Sequence, residues 1–289
     1  MFKFTSLFLE HTKLQRKKLY SMNLVNFLLM LILLSLSVLP MGLIFNLWAM
    51  AFFTGQGNTM SLILVTMGAL LLIALIFLMI TFPLFVGTIR SMYQAITQQA
   101  TLKWSVLFST FNGKIWRKSL LVGLVTSLFL LVLVIIDYFI TMGLRQLLKP
   151  LVSSNFTEMM ILFVIAVISS IISVFIAIFI INFITAFVKN PDNKIRHNIK
   201  IAWTTIKNGQ KTFLPFLIGL YLLNLTLLIF AGPVFYGIQM SQAHISQNLA
   251  SIITGIVSAI FFFIRYTVYF IMLGTIITYF HHQGHKNVS

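Results

Sequence analysis

Six long apolar stretches separated by short polar segments set the pattern of this chain, at about residues 22–53, 59–82, 119–143, 156–187, 213–239 and 249–279. Each exceeds the roughly 20 residues an α-helix needs to cross about 30 Å of hydrocarbon at about 1.5 Å per residue. A backbone in lipid must satisfy its own N–H and C=O groups, and a helix does so within one segment. The pattern predicts an all-α polytopic membrane protein, one transmembrane domain over residues 1–289 with six transmembrane helices. Pro83 is expected to end the second helix, because proline lacks an N–H and crowds the preceding turn. Asn155 and Glu158 read as a capping box opening the fourth. Pro40 with Gly42, and Gly232 with Pro233, interrupt the first and fifth stretches, where kinks are the expected result. Ser169, Ser170, Ser173, Gly255 and Ala259 read as small-residue packing faces.

Three of the polar segments carry helical periodicity. Trp104, Leu107, Phe108 and Phe111 recur at i, i+3, i+4 and i+7, one face of a helix. After Asn190-Pro191-Asp192, a helix-start signal, Ile195, Ile199, Ala202 and Ile206 share one side, with Arg196, His197, Lys200 and Lys207 on others. Phe4, Leu7 and Phe8 give a shorter version. Amphipathic helices beside membrane spans lie in the interface or pack on the ends of the spans. The chain also echoes itself. Asn112-Gly113 and Asn208-Gly209 each stand eleven residues before a Gly-Leu pair, and Gly87-Thr88-Ile89 returns as Gly274-Thr275-Ile276. Three in–out–in helical hairpins would account for this spacing.

Charge then orients the pattern. All but three of the 20 Lys and Arg residues fall within 1–21, 84–118, 188–211 and 280–289. The exceptions are Arg145 and Lys149 in an intervening loop and Arg265 inside the sixth apolar stretch. Loops flanking membrane spans are richest in Lys and Arg on the cytoplasmic side. Both termini are therefore expected in the cytoplasm, and the richness in Ile, Asn and Lys suggests a bacterial cytoplasmic membrane. The net charge of +16 is read as contact with anionic lipid headgroups, carried by Arg196, Lys200 and Lys207 with Trp104 at the surface, and not as nucleic-acid binding.

At 59% hydrophobic and 8% charged, the chain lies far from soluble domains, where about a quarter of residues are charged. Its longest polar segment, 188–211, is too short to build a core of its own. Cysteine is absent, which excludes disulfide and thiol chemistry. The first apolar run is too long for a signal-peptide core and no small-residue cleavage site follows, so it is expected to stay as an anchor.

Candidate chemistry is sparse. The acidic residues are Glu10, Asp137, Glu158 and Asp192, too few and too scattered for a paired-carboxylate site. No H-E-x-x-H, G-x-S-x-G or phosphate-cradling glycine loop occurs. The expectation is no enzyme and no cofactor. His281, His282 and His285 could hold a metal loosely at i, i+4 spacing, but without a nearby carboxylate the reading is no metal site. Arg265 is the sharpest residue, about midway along the sixth stretch, where Arg normally faces the bundle interior and finds a partner. Asp137 is the one carboxylate in the interior of an apolar stretch, Glu158 standing at the start of the fourth. An Asp137–Arg265 ion pair between the third and sixth spans is expected. Alternatively, Arg265 faces an anion, with Asn224, Tyr266 and Tyr269 supplying hydrogen bonds.

Several of these segments together resemble a known group. Pro83, Gly87 and Arg90 are followed by Phe108-Ser-Thr-Phe-Asn-Gly113, then by Asn190-Pro191, Ile199-Lys-Ile-Ala-Trp203 and Asn208-Gly209. Over roughly Thr81–Phe280 this order resembles a family of uncharacterised bacterial six-span membrane proteins related to the membrane domain of glycerophosphoryl diester phosphodiesterases. That family usually carries a Glu in the helix after Asn-Pro, and this chain has none there. The resemblance implies an all-helical membrane fold with interfacial helices and brings no catalytic residues, since the phosphodiesterase barrel is missing. The expected role is a non-enzymatic accessory, self-protection or scaffold component acting with a membrane-protein partner. The alternative is a carrier for a lipid or small amphipathic anion that uses Arg265.

Overall fold

The computed structural model describes residues 1–55, 59–97, 101–241 and 246–283. Among them every regular element is helical: α1 (Lys3–His11), α2 (Arg16–Thr54), α3 (Thr59–Ile76), α4 (Phe82–Thr97), α5 (Ser105–Phe108), α6 (Gly113–Leu148), α7 (Asn155–Lys189), α8 (Ile195–Asn208), α9 (Gln210–Ile229), α10 (Phe235–Ser241) and α11 (Gln247–Gln283). Six helical runs are long and apolar enough to cross a membrane, from 30 to 39 residues each. The protein is a polytopic all-α membrane protein. Runs of that length overshoot about 30 Å of hydrocarbon. The surplus lies largely at the basic ends, and that is where side chains become buried.

The second run does not stop at Pro83. A π-helical segment, Phe77–Thr81, joins α3 to α4, and the helix continues through the proline to Thr97. Proline removes the N–H that would serve the carbonyl four residues back, here that of Met79. The indole Nε1 of Trp116 donates to that carbonyl at 3.2 Å. A second π segment, Phe230–Val234, holds Gly232 and Pro233 between α9 and α10. The cap of α7 also differs from the expectation. Ser154 is the N-cap, in extended backbone, and its box closes on Thr157: Thr157 N–H donates to Ser154 Oγ at 3.2 Å and Ser154 N–H to Thr157 Oγ1 at 2.8 Å. Two hydroxyls one residue earlier in the sequence take the roles assigned to Asn155 and Glu158. Glu158 instead lies 3.8 Å from Arg145, with both side chains exposed.

The chain divides into two compact units, Leu14–Val125 and Met1–Lys13 with Thr126–Ser289. In the first, α2 meets α4 through a polar seam. Asn26 Nδ2 donates to the Leu84 carbonyl at 2.8 Å and to Thr88 Oγ1 at 2.7 Å, and Ser91 Oγ donates to Asn23 Oδ1 at 3.0 Å. Leu19, Met22, Ile89 and Met92 are buried beside it. The α5 segment is a single turn continued by a 3-10 turn, Ser109–Phe111, and its inward side chains are Leu102, Leu107 and Thr110. Trp104, Phe108 and Phe111, expected on one apolar face with Leu107, stand exposed. One α-helical turn is too short to sustain the i, i+4, i+7 stripe. α3 contributes no buried residue, and Trp48 Nε1 clips α2 to it by donating to Thr66 Oγ1 at 2.9 Å.

The second unit closes around α1. Its core joins Phe4, Val174, Ile178, Ile206, Phe216, Leu220, Ile276 and Tyr279. Phe4 meets Tyr279 edge-on at 5.1 Å between ring centroids, and Phe216 stacks on Tyr279 at 4.1 Å. Such aromatic pairs add about 0.5–1.5 kcal/mol beyond area burial. α8 packs on α7 with Asn198, Ala202, Thr205 and Ile206 inward. The expected face of Ile195, Ile199, Ala202 and Ile206 is thus rotated, with Ile195 and Ile199 only partly buried. Thr205 tolerates burial because its hydroxyl bonds the Ile201 carbonyl of its own helix at 2.8 Å.

Candidate functional site

Apart from Trp104, the residues singled out from the sequence lie in the second unit, and the structure gives them different surroundings. Arg265 sits at the middle of α11 and is exposed. Its Nε donates to Tyr269 Oη at 3.3 Å, and the guanidinium carbon lies 5.5 Å from the Tyr269 ring centroid, in cation–π range. Tyr269, one turn further along α11, is 39% exposed on the same side. Tyr266 turns the other way and is buried, its ring 6.2 Å from that of Phe270. Asn224 on α9 and Asp137 on α6 are both partly exposed. Among the described residues, no ion pair joins Asp137 to Arg265, and no hydrogen bond links Asn224 to it. Arg265 therefore presents its charge outward beside Tyr269, while the other candidates stand apart from it.

The outward face of α11 has a pattern of its own. Ser251, Gly255, Ser258, Phe262, Arg265 and Tyr269 follow one another at steps of three and four residues. All but the partly buried Phe262 are exposed. A Cβ added at Gly255 would meet open space. Ile252, Ile256, Ile260 and Phe263 form a separate exposed stripe of large apolar side chains.

On α8, Arg196, Lys200, Trp203 and Lys207 share an exposed stripe at i, i+4, i+7 and i+11. Trp203 is 55% exposed, yet its ring reaches within 6.4 Å of the Phe179 ring on α7. Trp104 in the other unit is also exposed. The basic residues were legible in the sequence. Trp203 was missed because alternate faces of α8 both carry apolar side chains. In the tail, the His282 ring lies 5.9 Å from His11 and 5.5 Å from His281; His285 and His244 fall outside the described residues. Among the described residues no group of three His or acidic side chains could hold a metal.

Sequence reading also missed two buried amides. Asn182 on α7 and Asn198 on α8 are 0% and 1% exposed, and neither carboxamide has a hydrogen-bond partner among the described residues. An Asn inside the run Ile180-Ile181-Asn182-Phe183 is the signal in the sequence that points to the first of them. Comparison of the chain with family models, with curated proteins and with solved structures gave no match.

Proposed function

We propose that this protein is a non-enzymatic component of the bacterial cytoplasmic membrane that works through a membrane-protein partner, as an accessory, self-protection or scaffold subunit. Arg265 carries the proposal. Its charge leaves the middle of an apolar helix on the exposed side, assisted within the chain by Tyr269. An Arg at the centre of a span costs about 2.5–3.5 kcal/mol on insertion scales and normally finds a partner inside a bundle. A second protein surface covering Arg265 would remove that cost. The carrier reading has less support, because Tyr266 and Asn224, the groups that would bind an anion with Arg265, do not accompany it on its face.

In this reading the basic ends of the helices and both termini lie on the cytoplasmic side. Arg196, Lys200 and Lys207, with Trp104 and Trp203, rest on anionic lipid headgroups, each cation near such a surface being worth about 1 kcal/mol. Trp203, half exposed and touching Phe179, has the amphipathic ring preferred at that boundary. Affinity purification in mild detergent, with co-purifying proteins and lipids both identified by mass spectrometry, tests the proposal. A stoichiometric protein that is lost with Arg265→Gln supports it. A specific lipid or metabolite lost with the same substitution, and no protein, would replace it with the carrier.

A further inference from the structure

We infer that the membrane partner is a second copy of this chain, held by two reciprocal ion pairs: Arg265 of each copy with Asp137 of the other. The inference rests on the reading above that Arg265 is covered by protein. It is argued from charge complementarity within one sequence. Arg265 is the one Lys or Arg within the six apolar stretches, and Asp137 the one carboxylate in their interior, Glu158 standing at the very start of the fourth. The two share a compact unit, and among the described residues no ion pair joins them. Each is turned at least partly outward: Arg265 is exposed, and Asp137, partly exposed, is followed by Tyr138 and Phe139 at 61% and 67% exposure. An unrelated partner covering Arg265 would leave Asp137 unanswered. A twofold contact answers both at once, because in such an interface residue i meets j and j meets i.

The depths agree. Asp137 lies about 28 Å along α6 from Lys118, and Arg265 about 24 Å along α11 from His281, at about 1.5 Å per residue. The difference is about one helical turn, which a long Arg side chain and ordinary helix tilt close between two parallel copies. The helix face fits as well. Ser251, Gly255, Ser258, Phe262, Arg265 and Tyr269 step at the three-and-four spacing of a helix–helix seam, and small residues along it let a second backbone approach closely. Lipid is a poor match for that stripe and a good one for the neighbouring stripe of Ile252, Ile256, Ile260 and Phe263. In the Arg265–Tyr269 contact only Nε of the guanidinium donates, so its two terminal nitrogens remain to form a forked contact with a carboxylate.

Charge reversal tests the pairing directly. Differently tagged copies are co-expressed, and capture of one by the other is measured in mild detergent, with thermal melting of each variant as the control for folding. Wild type should capture wild type. The Arg265→Asp copy, with two negative charges at the seam, and the Asp137→Arg copy, with two positive charges, should each lose self-capture by at least about tenfold. Co-expressed with each other, the two variants should regain wild-type capture, since each reciprocal contact again joins one Arg to one Asp, in the native polarity at one contact and reversed at the other. Absence of wild-type self-capture overturns the inference, as does undiminished self-capture by folded variants or failure of the mixed pair. If wild type captures no second copy but does capture another membrane protein that Arg265→Asp releases, the homodimer falls and the broader partner reading stands. If it captures neither, both fall.

Discussion

Trp116 shows how one side chain can carry a helix across a proline. Pro83 strips the Met79 carbonyl of its usual donor, the backbone expands into a π turn, and the indole N–H supplies the missing hydrogen bond. Trp116→Phe should therefore lower thermal stability in detergent by about 1 kcal/mol, the net worth of a typical hydrogen bond. Pro83→Ala restores the backbone donor, so Trp116→Phe should cost much less in that background; equal losses in both backgrounds would show that the indole does not serve this carbonyl. The buried amides give a prediction of opposite sign. Asn182 keeps its carboxamide unpaired in the packed interior, and an unsatisfied buried group costs about 1–3 kcal/mol. Asn182→Leu should raise the melting temperature, and a fall would reveal a partner for the amide. The proline and the asparagine were both visible in the sequence. Their consequences were not, because the relief of Pro83 comes from a residue 33 positions away and the burial of Asn182 from the docking of another helix.

At the level of elements, the repeated Gly-Thr-Ile acquires a physical meaning. Gly87 on α4 lies against the Leu107 carbonyl of the α5 segment, and Gly274 on α11 lies under the ring of Phe8 from α1; a Cβ at either would overlap its neighbour. In each case a short helix docks at the basic end of a long one, where the glycine leaves room. The threonines that follow make helix–helix contacts, Thr88 accepting from Asn26 and Thr275 bonding Thr5 at 3.2 Å. Gly274→Ala should cost about 1–3 kcal/mol through overpacking and expose residues 1–13 to protease, and Phe8→Leu should recover part of the loss. If Gly274→Ala leaves both stability and protease resistance unchanged, α1 is not seated there. Apolar periodicity identified the six spans and the presence of α8. It misjudged the inward faces of α5 and α8, because those faces are set by small and polar residues that fit against a neighbour, which hydropathy does not register.

At the scale of the whole molecule, the distribution of charge and the distribution of burial coincide. The ends rich in Lys and Arg are the ends where α1, α5 and α8 pack on the spans. The chain has no cysteine, so a single introduced thiol reports its own side of the membrane. Lys200→Cys should react with an impermeant reagent only from the cytoplasmic side, and Lys149→Cys only from the opposite side. The reverse labelling would invert the proposed orientation. Architecture was legible in the sequence at this scale because lipid imposes it through length and hydropathy alone. The arrangement around Arg265 was not, since the choice between a partner inside the bundle and one outside depends on the rotation of α6 and α11.

The seat of α1 also constrains the order in which the protein is made. Thr5 bonds Thr275, and Phe4 meets Phe216 and Tyr279 edge-on. During synthesis α1 leaves the ribosome ahead of α9 and α11 and must wait, its apolar face uncovered, until both have been inserted. At about 5–20 residues per second, that wait lasts on the order of ten seconds or more. Completion of this unit thus waits for the sixth of the described spans, α11, to meet α1. A chain that stops short of α11 would betray itself by a loose, amphipathic α1.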